Sequence, residues 1–216
     1  MIGMKDIFLL IFLWGLFGFV HSIMISNSFR EMVIKFTGRT FEVYFYRIVY
    51  NFISLIIYSI IIYFVKSSPE MFLLPHSLRY AFNIISFMGF LIAITAFSQT
   101  DVLEFLGLKQ LWRFFMKGKG KQKNLFGYDK LVINGMYRFI RHPMYFGVSL
   151  VFLFNPFISL LTLADRICAV SYLFIGTFFE EKRMLRVFGN EYRVYKENVP
   201  RFIPYKTIAV RKSRGD

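Results

Sequence analysis

Cysteine is almost missing from this chain: among its 216 residues there is one, Cys168, so no intrachain disulfide can form and cysteine usage says nothing about redox compartment. Cys168 lies in an apolar run and reads as a small buried hydrophobe. Acidic residues are scarce as well, 13 against 27 Lys and Arg. Charge of either sign is absent from four long stretches, Ile7 to Phe29, Ile48 to Val65, Tyr80 to Thr100 and Pro143 to Ala164. Each is long enough to cross a hydrocarbon layer of roughly 30 Å at about 1.5 Å per residue. A fifth run, Ile167 to Phe179, is too short to span alone and ends directly in Glu180 and Glu181. With 56% hydrophobic and 20% aromatic residues, the composition excludes an ordinary water-soluble domain.

The first run exceeds a signal-peptide core, is preceded only by Lys5 and carries no small-x-small cleavage site, so it reads as a retained helix. A formal charge of +14 raises the question of nucleic acid. The basic residues are instead sorted by connection, as membrane orientation requires. Four fall in 26–47, nine in 98–142 and ten in 181–216, whereas only Lys5, Lys66, Arg79 and Arg166 fall on the alternate side. This predicts an external N-terminus, a cytosolic C-terminus and five crossings. A basic face beside anionic lipid accounts for the charge, and no nucleic-acid partner is expected.

The expectation is therefore an all-α integral membrane protein in one domain, 1–216, with about five transmembrane helices at about 7–25, 48–65, 80–98, 143–164 and 167–188. Neither an internal repeat nor a heptad is present. Tyr46 and Tyr50 are spaced to share one helix face, as are Arg47 and Asn51. Gly107 to Trp112 reads as interfacial, and Lys117 to Lys123 alternates Lys with Gly like a flexible connector. Pro143 suits the first turn of helix four. Asn155 and Pro156 predict a kink in that helix. The tail continues as an amphipathic helix from Glu180 to about Phe188, stopped at Gly189, and a short helix from Glu191 to about Glu197 sets Tyr192 and Tyr195 on one face. Pro200 and Pro204 end regular structure.

Two clusters on the cytosolic side carry the chemistry. The first is Tyr137, Arg138, Arg141, His142, Tyr145 and Gly147. His142, preceding Pro143, is biased toward an N-cap-like conformation, and the helix start beside Arg141 and His142 favours an anion. Gly147, one turn on, leaves room for a ligand. The second is Glu180, Glu181, Arg183, Tyr192, Tyr195 and Arg201. Adjacent helical glutamates point about 100° apart, so at most one can face a pocket squarely while the other can pair with a base, as Glu180 can with Arg183 three residues on. S-adenosylmethionine matches these groups: its carboxylate suits Arg and the helix start, its adenine the aromatics, its sulfonium a carboxylate. The expectation is that the mouth of helix four and the acidic foot of helix five close around one charged nucleoside. No metal is expected.

The string Tyr-Arg-Phe-Ile-Arg-His-Pro-Met-Tyr-Phe-Gly, followed by Glu-Glu-Lys-Arg-Met-Leu-Arg-Val-Phe-Gly-Asn-Glu-Tyr-Arg-Val-Tyr and Val-Pro-Arg-Phe-Ile-Pro, resembles the isoprenylcysteine carboxyl methyltransferase and phospholipid methyltransferase superfamily. The likeness covers roughly 134–204. It implies S-adenosylmethionine binding at the membrane interface, with roles for Arg141, His142, Tyr145, Gly147, Glu180, Glu181, Tyr192 and Tyr195. A narrower likeness, carried by His21-Ser22, Tyr46-Arg47 with Tyr50-Asn51, and Gly107-Leu108-Lys109-Gln110, is to bacterial methanethiol S-methyltransferases and related membrane proteins associated with denitrification. It departs at Lys109, where the thiol enzymes favour Arg. The implied reaction is direct displacement converting methanethiol to dimethyl sulfide in a bacterial inner membrane, with Arg47, Arg138 or His21 favouring the thiolate. Other readings are a prenylcysteine or lipid acceptor, a non-enzymatic accessory protein, and a nicotinamide-dependent reductase. Oligomeric state is not legible.

Overall fold

The computed structural model describes residues 3–66, 72–116 and 130–204; the Lys-Gly connector expected at 117–123 lies outside them. Helix α1 (Met4–Ile25) is followed by α2 (Asn27–Thr37) and α3 (Arg39–Tyr44), which are joined by an Arg30–Glu42 ion pair. Next come α4 (Tyr46–Lys66), the two-residue strand β1 (Phe72–Leu73), α5 (His76–Ser98), α6 (Val102–Leu106) and α7 (Leu108–Phe115). A 3-10 turn at Gly135–Arg138 leads into α8 (Pro143–Leu153), strand β2 (Phe157–Ile158), α9 (Leu160–Phe188) and α10 (Asn190–Asn198).

Among the described residues, four helices, α1, α4, α5 and α9, are long and apolar enough to cross a membrane. Their outer faces carry Phe8, Phe12, Phe19, Phe52 and Phe87, each more than 60% exposed. Such a surface aggregates in water and is matched by lipid. The protein is an integral membrane protein. Between α1, α4 and α9 lies a core of Leu10, Trp14, Phe17, Ile61, Val65, Leu161 and Ala169. The Trp14 indole donates to Asp165 Oδ1 at 2.9 Å, which pairs a polar group inside that core.

The region expected as one kinked helix over 143–164 is instead two elements. Helix α8 stops at Leu153 after 11 residues, too short to span by itself. Asn155 Oδ1 accepts from the Phe157 amide at 3.0 Å, closing a turn that Pro156 cannot continue as helix. Ser159 then starts α9 with a capping box: its hydroxyl accepts from the Thr162 amide at 3.1 Å, and Thr162 Oγ1 accepts from the Ser159 amide at 2.7 Å. The last helix thus begins at Leu160 rather than Ile167 and runs 29 residues. β2 pairs antiparallel with β1, fastening the α8–α9 turn to the α4–α5 connection. Beyond this two-residue pairing, every regular element among the described residues is helical, as the all-α expectation has it.

Helices α5 and α8 pack backbone to backbone. A Cβ built on Gly147 would meet Gly89 O at 2.5 Å and Ala93 N at 2.6 Å, and one on Gly89 would meet Gly147 O at 2.7 Å. The room expected at Gly147 for a ligand is occupied by α5, so this glycine serves helix packing. Gly147→Leu is therefore expected to force the helices apart and lower the melting temperature in detergent, at about 1–3 kcal/mol or more for overpacking. Gly15→Leu, where nothing lies within 4 Å, serves as the neutral control.

Candidate functional site

The turn before α8 is held to the C-terminal tail by its backbone. The Arg141 amide donates to Pro200 O at 2.8 Å and the His142 amide to Arg201 O at 3.2 Å. Tyr195 donates its hydroxyl to Tyr137 O at 2.6 Å, and the Tyr192 and Tyr195 rings, both buried, lie 5.8 Å apart. Burial pushes the phenols of Tyr137, Tyr192 and Tyr195 well above their usual range, so they remain neutral donors.

Glu181 is the hub of this joint. Its Oε1 accepts from Arg141 Nε at 3.0 Å, Arg141 Nη2 at 2.7 Å and Arg201 Nε at 3.0 Å. Oε2 accepts from Arg201 Nη2 at 2.9 Å and faces Lys196 Nζ at 2.9 Å. His142 Nε2 stands 3.3 Å from Oε1. Arg141 also donates Nη1 to the carbonyls of Lys196, at 2.9 Å, and of Val199. Arg201 lies over the Phe178 ring, 4.1 Å from its centre. With a carboxylate 2% exposed and four cationic neighbours, Glu181 binds α9, the pre-α8 turn and the tail together.

Glu180, about 100° around the helix, takes the other side. It faces His142 Nδ1 at 3.4 Å and bonds the Tyr145 hydroxyl, and the charges of Arg183 and His142 act on it. His142 and Glu181 touch, so nothing can sit between them as the sequence reading expected; Glu180, with Tyr145, stands at the other ring nitrogen of His142. Burial alone would lower the His142 pKa, yet hydrogen bonds and charge from both glutamates outweigh it and raise the value above the ordinary 6.5. Because the folded value exceeds the unfolded one, His142 contributes its full stabilisation below pH 6.5 and loses it as pH rises through the folded value. Melting temperature is expected to fall from pH 6.5 upward in the wild type, and the fall should be reduced in His142→Gln, which keeps a polar side chain but no titration.

A second polar group sits between α1 and α4. Tyr50 Oη lies 3.0 Å from His21 Nδ1 and also reaches Nε2, while Ser54 Oγ is 3.3 Å from Nδ1. Tyr172 of α9 stacks edge-on against His21 at 5.9 Å.

The structure gathers Tyr137, Arg141, His142, Tyr145, Glu180, Glu181, Tyr192 and Tyr195 at one joint. Four others lie elsewhere, His21 among them in the group between α1 and α4. Gly147 faces α5. Arg47 donates to the Glu104 carbonyl, and Asn51 beside it donates to Phe105 O and Leu106 O at 3.1 Å, so this pair clamps α6. Arg138 is exposed and makes no ion pair among the described residues. Lys109 pairs with Asp101 on the surface. Lys196 was not singled out from sequence: its partner lies in another helix, and no local spacing marks such a pair.

A family described as a protein of unknown function, DUF1295, matches residues 7–199. The chain belongs to this family. Its relatives include methanethiol S-methyltransferase 1 of Bradyrhizobium diazoefficiens, 27% identical over 90% of this chain and 65% of the relative. The methanethiol S-methyltransferase of Mycobacterium tuberculosis is 24% identical over 89% of this chain and 76% of the relative. Human protein-S-isoprenylcysteine O-methyltransferase is 35% identical over 35% of this chain and 28% of the relative. The chain thus spans somewhat under two thirds of the Bradyrhizobium relative's length. No solved structure matches.

Proposed function

We propose that this family member is a methyltransferase that uses S-adenosylmethionine to S-methylate a small thiol, methanethiol to dimethyl sulfide, at the cytosolic face of a bacterial inner membrane. The observation that carries the reading is the division of labour at the α9 foot: Glu181 is consumed by the joint, and Glu180 presents a second carboxylate beside Tyr145, Tyr137 and His142. The donor set fits the cofactor. A largely buried carboxylate suits a sulfonium or ammonium, phenol rings suit adenine, and the start of α8 with His142 suits a carboxylate. When bound, the cofactor supplies an electrophilic methyl group.

The chain's own residues bind, orient and exclude water. Glu180 holds the positive end, Tyr145 and His142 fix the Glu180 carboxylate, and the tail of α10 closes the joint from the aqueous side. Arg183 stabilises an anionic acceptor from within reach of Glu180. The thiol and cofactor yield the methyl thioether, S-adenosylhomocysteine and a proton. Orientation follows the charge sorting: N-terminus outside, C-terminus cytosolic, with α8 and the β2 turn together making the fourth of five crossings. The likeness to the human relative keeps a prenylcysteine acceptor as the second reading.

Membranes incubated with methyl-labelled S-adenosylmethionine and a panel of thiols, prenylcysteines and phosphatidylethanolamine test the proposal. Labelled dimethyl sulfide from methanethiol is the expected product. Label in a prenylcysteine or lipid alone would move the assignment to that acceptor, and no labelled product from any of them would reject methyl transfer.

A further inference from the structure

We infer that the α6–α7 hairpin is a membrane-surface contact, seated at the headgroup–acyl boundary of the bilayer with its apolar face in lipid. Neither helix can cross a membrane, since α6 has five residues and α7 eight. Both nevertheless turn polar groups inward and large apolar groups out. Glu104 is 3% exposed; its Oε1 accepts from Gln110 Nε2 at 2.9 Å and its Oε2 from Arg113 Nη2. On the outside stand Leu103, Phe105, Leu108, Trp112, Phe115 and Met116, with Trp112 68% and Phe115 70% exposed. Leu108, Trp112 and Phe115 fall at i, i+4 and i+7 and form one stripe along α7.

A carboxylate inside and aromatic rings outside is the reverse of what water selects, and a contiguous apolar stripe marks a surface that another apolar phase covers. The backbone is arranged for the same surroundings. Where water does not reach the last carbonyls of a helix, side chains must serve them. Those of α6 are served from α4: Arg47 donates to Glu104 O, and Asn51 donates to Phe105 O and Leu106 O at 3.1 Å. At the start of α6, Asp101 Oδ1 accepts from the Glu104 amide at 3.1 Å. The corner between the helices, Gly107, has a φ of 87°, and a Cβ there would meet Ile48 N at 2.9 Å, so the corner rests on the α4 backbone.

The occupant is the bilayer because the stripe continues a surface that lipid already covers. The hairpin hangs from Arg47, Ile48 and Asn51 at the start of α4, whose 21 residues extend about 31 Å, close to the hydrocarbon thickness of roughly 30 Å. The attachment thus lies at the hydrocarbon edge, and Phe52, next to Asn51, faces lipid. An indole such as that of Trp112 suits this depth. Gln99, two residues before Asp101, accepts from the Met136 amide at 3.1 Å, which sets the hairpin on the same membrane side as the turn leading into α8. None of this depends on the methyl-transfer reading.

The test uses the full chain in nanodiscs. The chain has two tryptophans, and Trp14 is buried between helices, so the difference in fluorescence between the wild type and Trp112→Phe reports the outer one. Lipids carrying a nitroxide near the headgroup or near the bilayer centre, and iodide in the water, quench it from known depths. A boundary position predicts quenching about twofold or more stronger by the shallow nitroxide than by the deep one, and iodide quenching about fivefold weaker than for free tryptophan. Phe115→Trp in the Trp112→Phe chain should show the same order. Strong iodide quenching without lipid quenching would put α7 in water and overturn the inference. Protection from iodide and from both nitroxides would mean that protein, a second copy of the chain or a partner, covers the stripe, and would overturn it equally, as would strongest quenching by the deep nitroxide.

Discussion

Glu181→Gln is expected to be the most destabilising single substitution in the cytosolic joint. The change keeps the shape of the side chain and removes the charge that Arg141, Arg201, Lys196 and His142 share. The Arg141 side chain is 8% exposed, so its guanidinium is left buried without a counter-ion. Removing one partner of a buried ion pair costs about 3–5 kcal/mol, because the remaining charge keeps its desolvation penalty. The neutral amide still accepts some of these hydrogen bonds, so the lower end of that range applies. The tail from α10 onward should detach first, since Lys196, Arg201 and the Val199 carbonyl all converge on Arg141 or Glu181. Limited proteolysis would read this directly, as cleavage between Gly189 and Arg201 that the wild type resists. Wild-type resistance and an unchanged melting temperature in Glu181→Gln would refute the hub role.

Glu180→Gln should behave in the opposite way. Its neighbours are fewer, His142 and Tyr145 with Arg183 acting at longer range, and an amide can bond the same hydroxyl. Stability should fall little. Methyl transfer should fall by roughly ten- to a hundredfold, the equivalent of losing one charged contact of about 1.5–3 kcal/mol. Adjacent carboxylates with opposite phenotypes, one of stability and one of activity, are the signature of the division of labour proposed here. Equal losses of stability and activity in both variants would contradict it.

Much of the fold was legible because lipid imposes a coarse rule on sequence. Charge-free runs of sufficient length placed α1, α4 and α5 within a few residues, and the four-residue spacings of Tyr46 with Tyr50 and Arg47 with Asn51 foretold their use: the tyrosines reach Met24 O and His21 of α1, and the polar pair reaches carbonyls of α6. What failed was the segment at 143–164. An apolar run cannot distinguish a kink from a break, and the decision lay in two local polar devices, the Asn155 turn and the Ser159–Thr162 box. The second was readable as an N-cap signature but is easily lost inside an apolar run.

In the site, the 100° offset of neighbouring glutamates implied that the two carboxylates take different partners. It could not say which, because the partners of Glu181 come from residues 141, 142, 196 and 201, and only folding brings them together. Gly147 was read as ligand space because an absent side chain marks close approach without naming what approaches. Here it is α5. Arg47 carries the charge a thiolate needs, and the structure shows one of its donors on the Glu104 carbonyl.

Titration of S-adenosylmethionine into the purified chain in nanodiscs, side by side with Glu180→Gln, bears most directly on the claim that the Glu180 face is a cofactor site. The account predicts saturable one-to-one heat from the wild type and an affinity lower by at least about tenfold in the variant. No saturable heat from a folded wild type, or equal affinity in the two proteins, would contradict it.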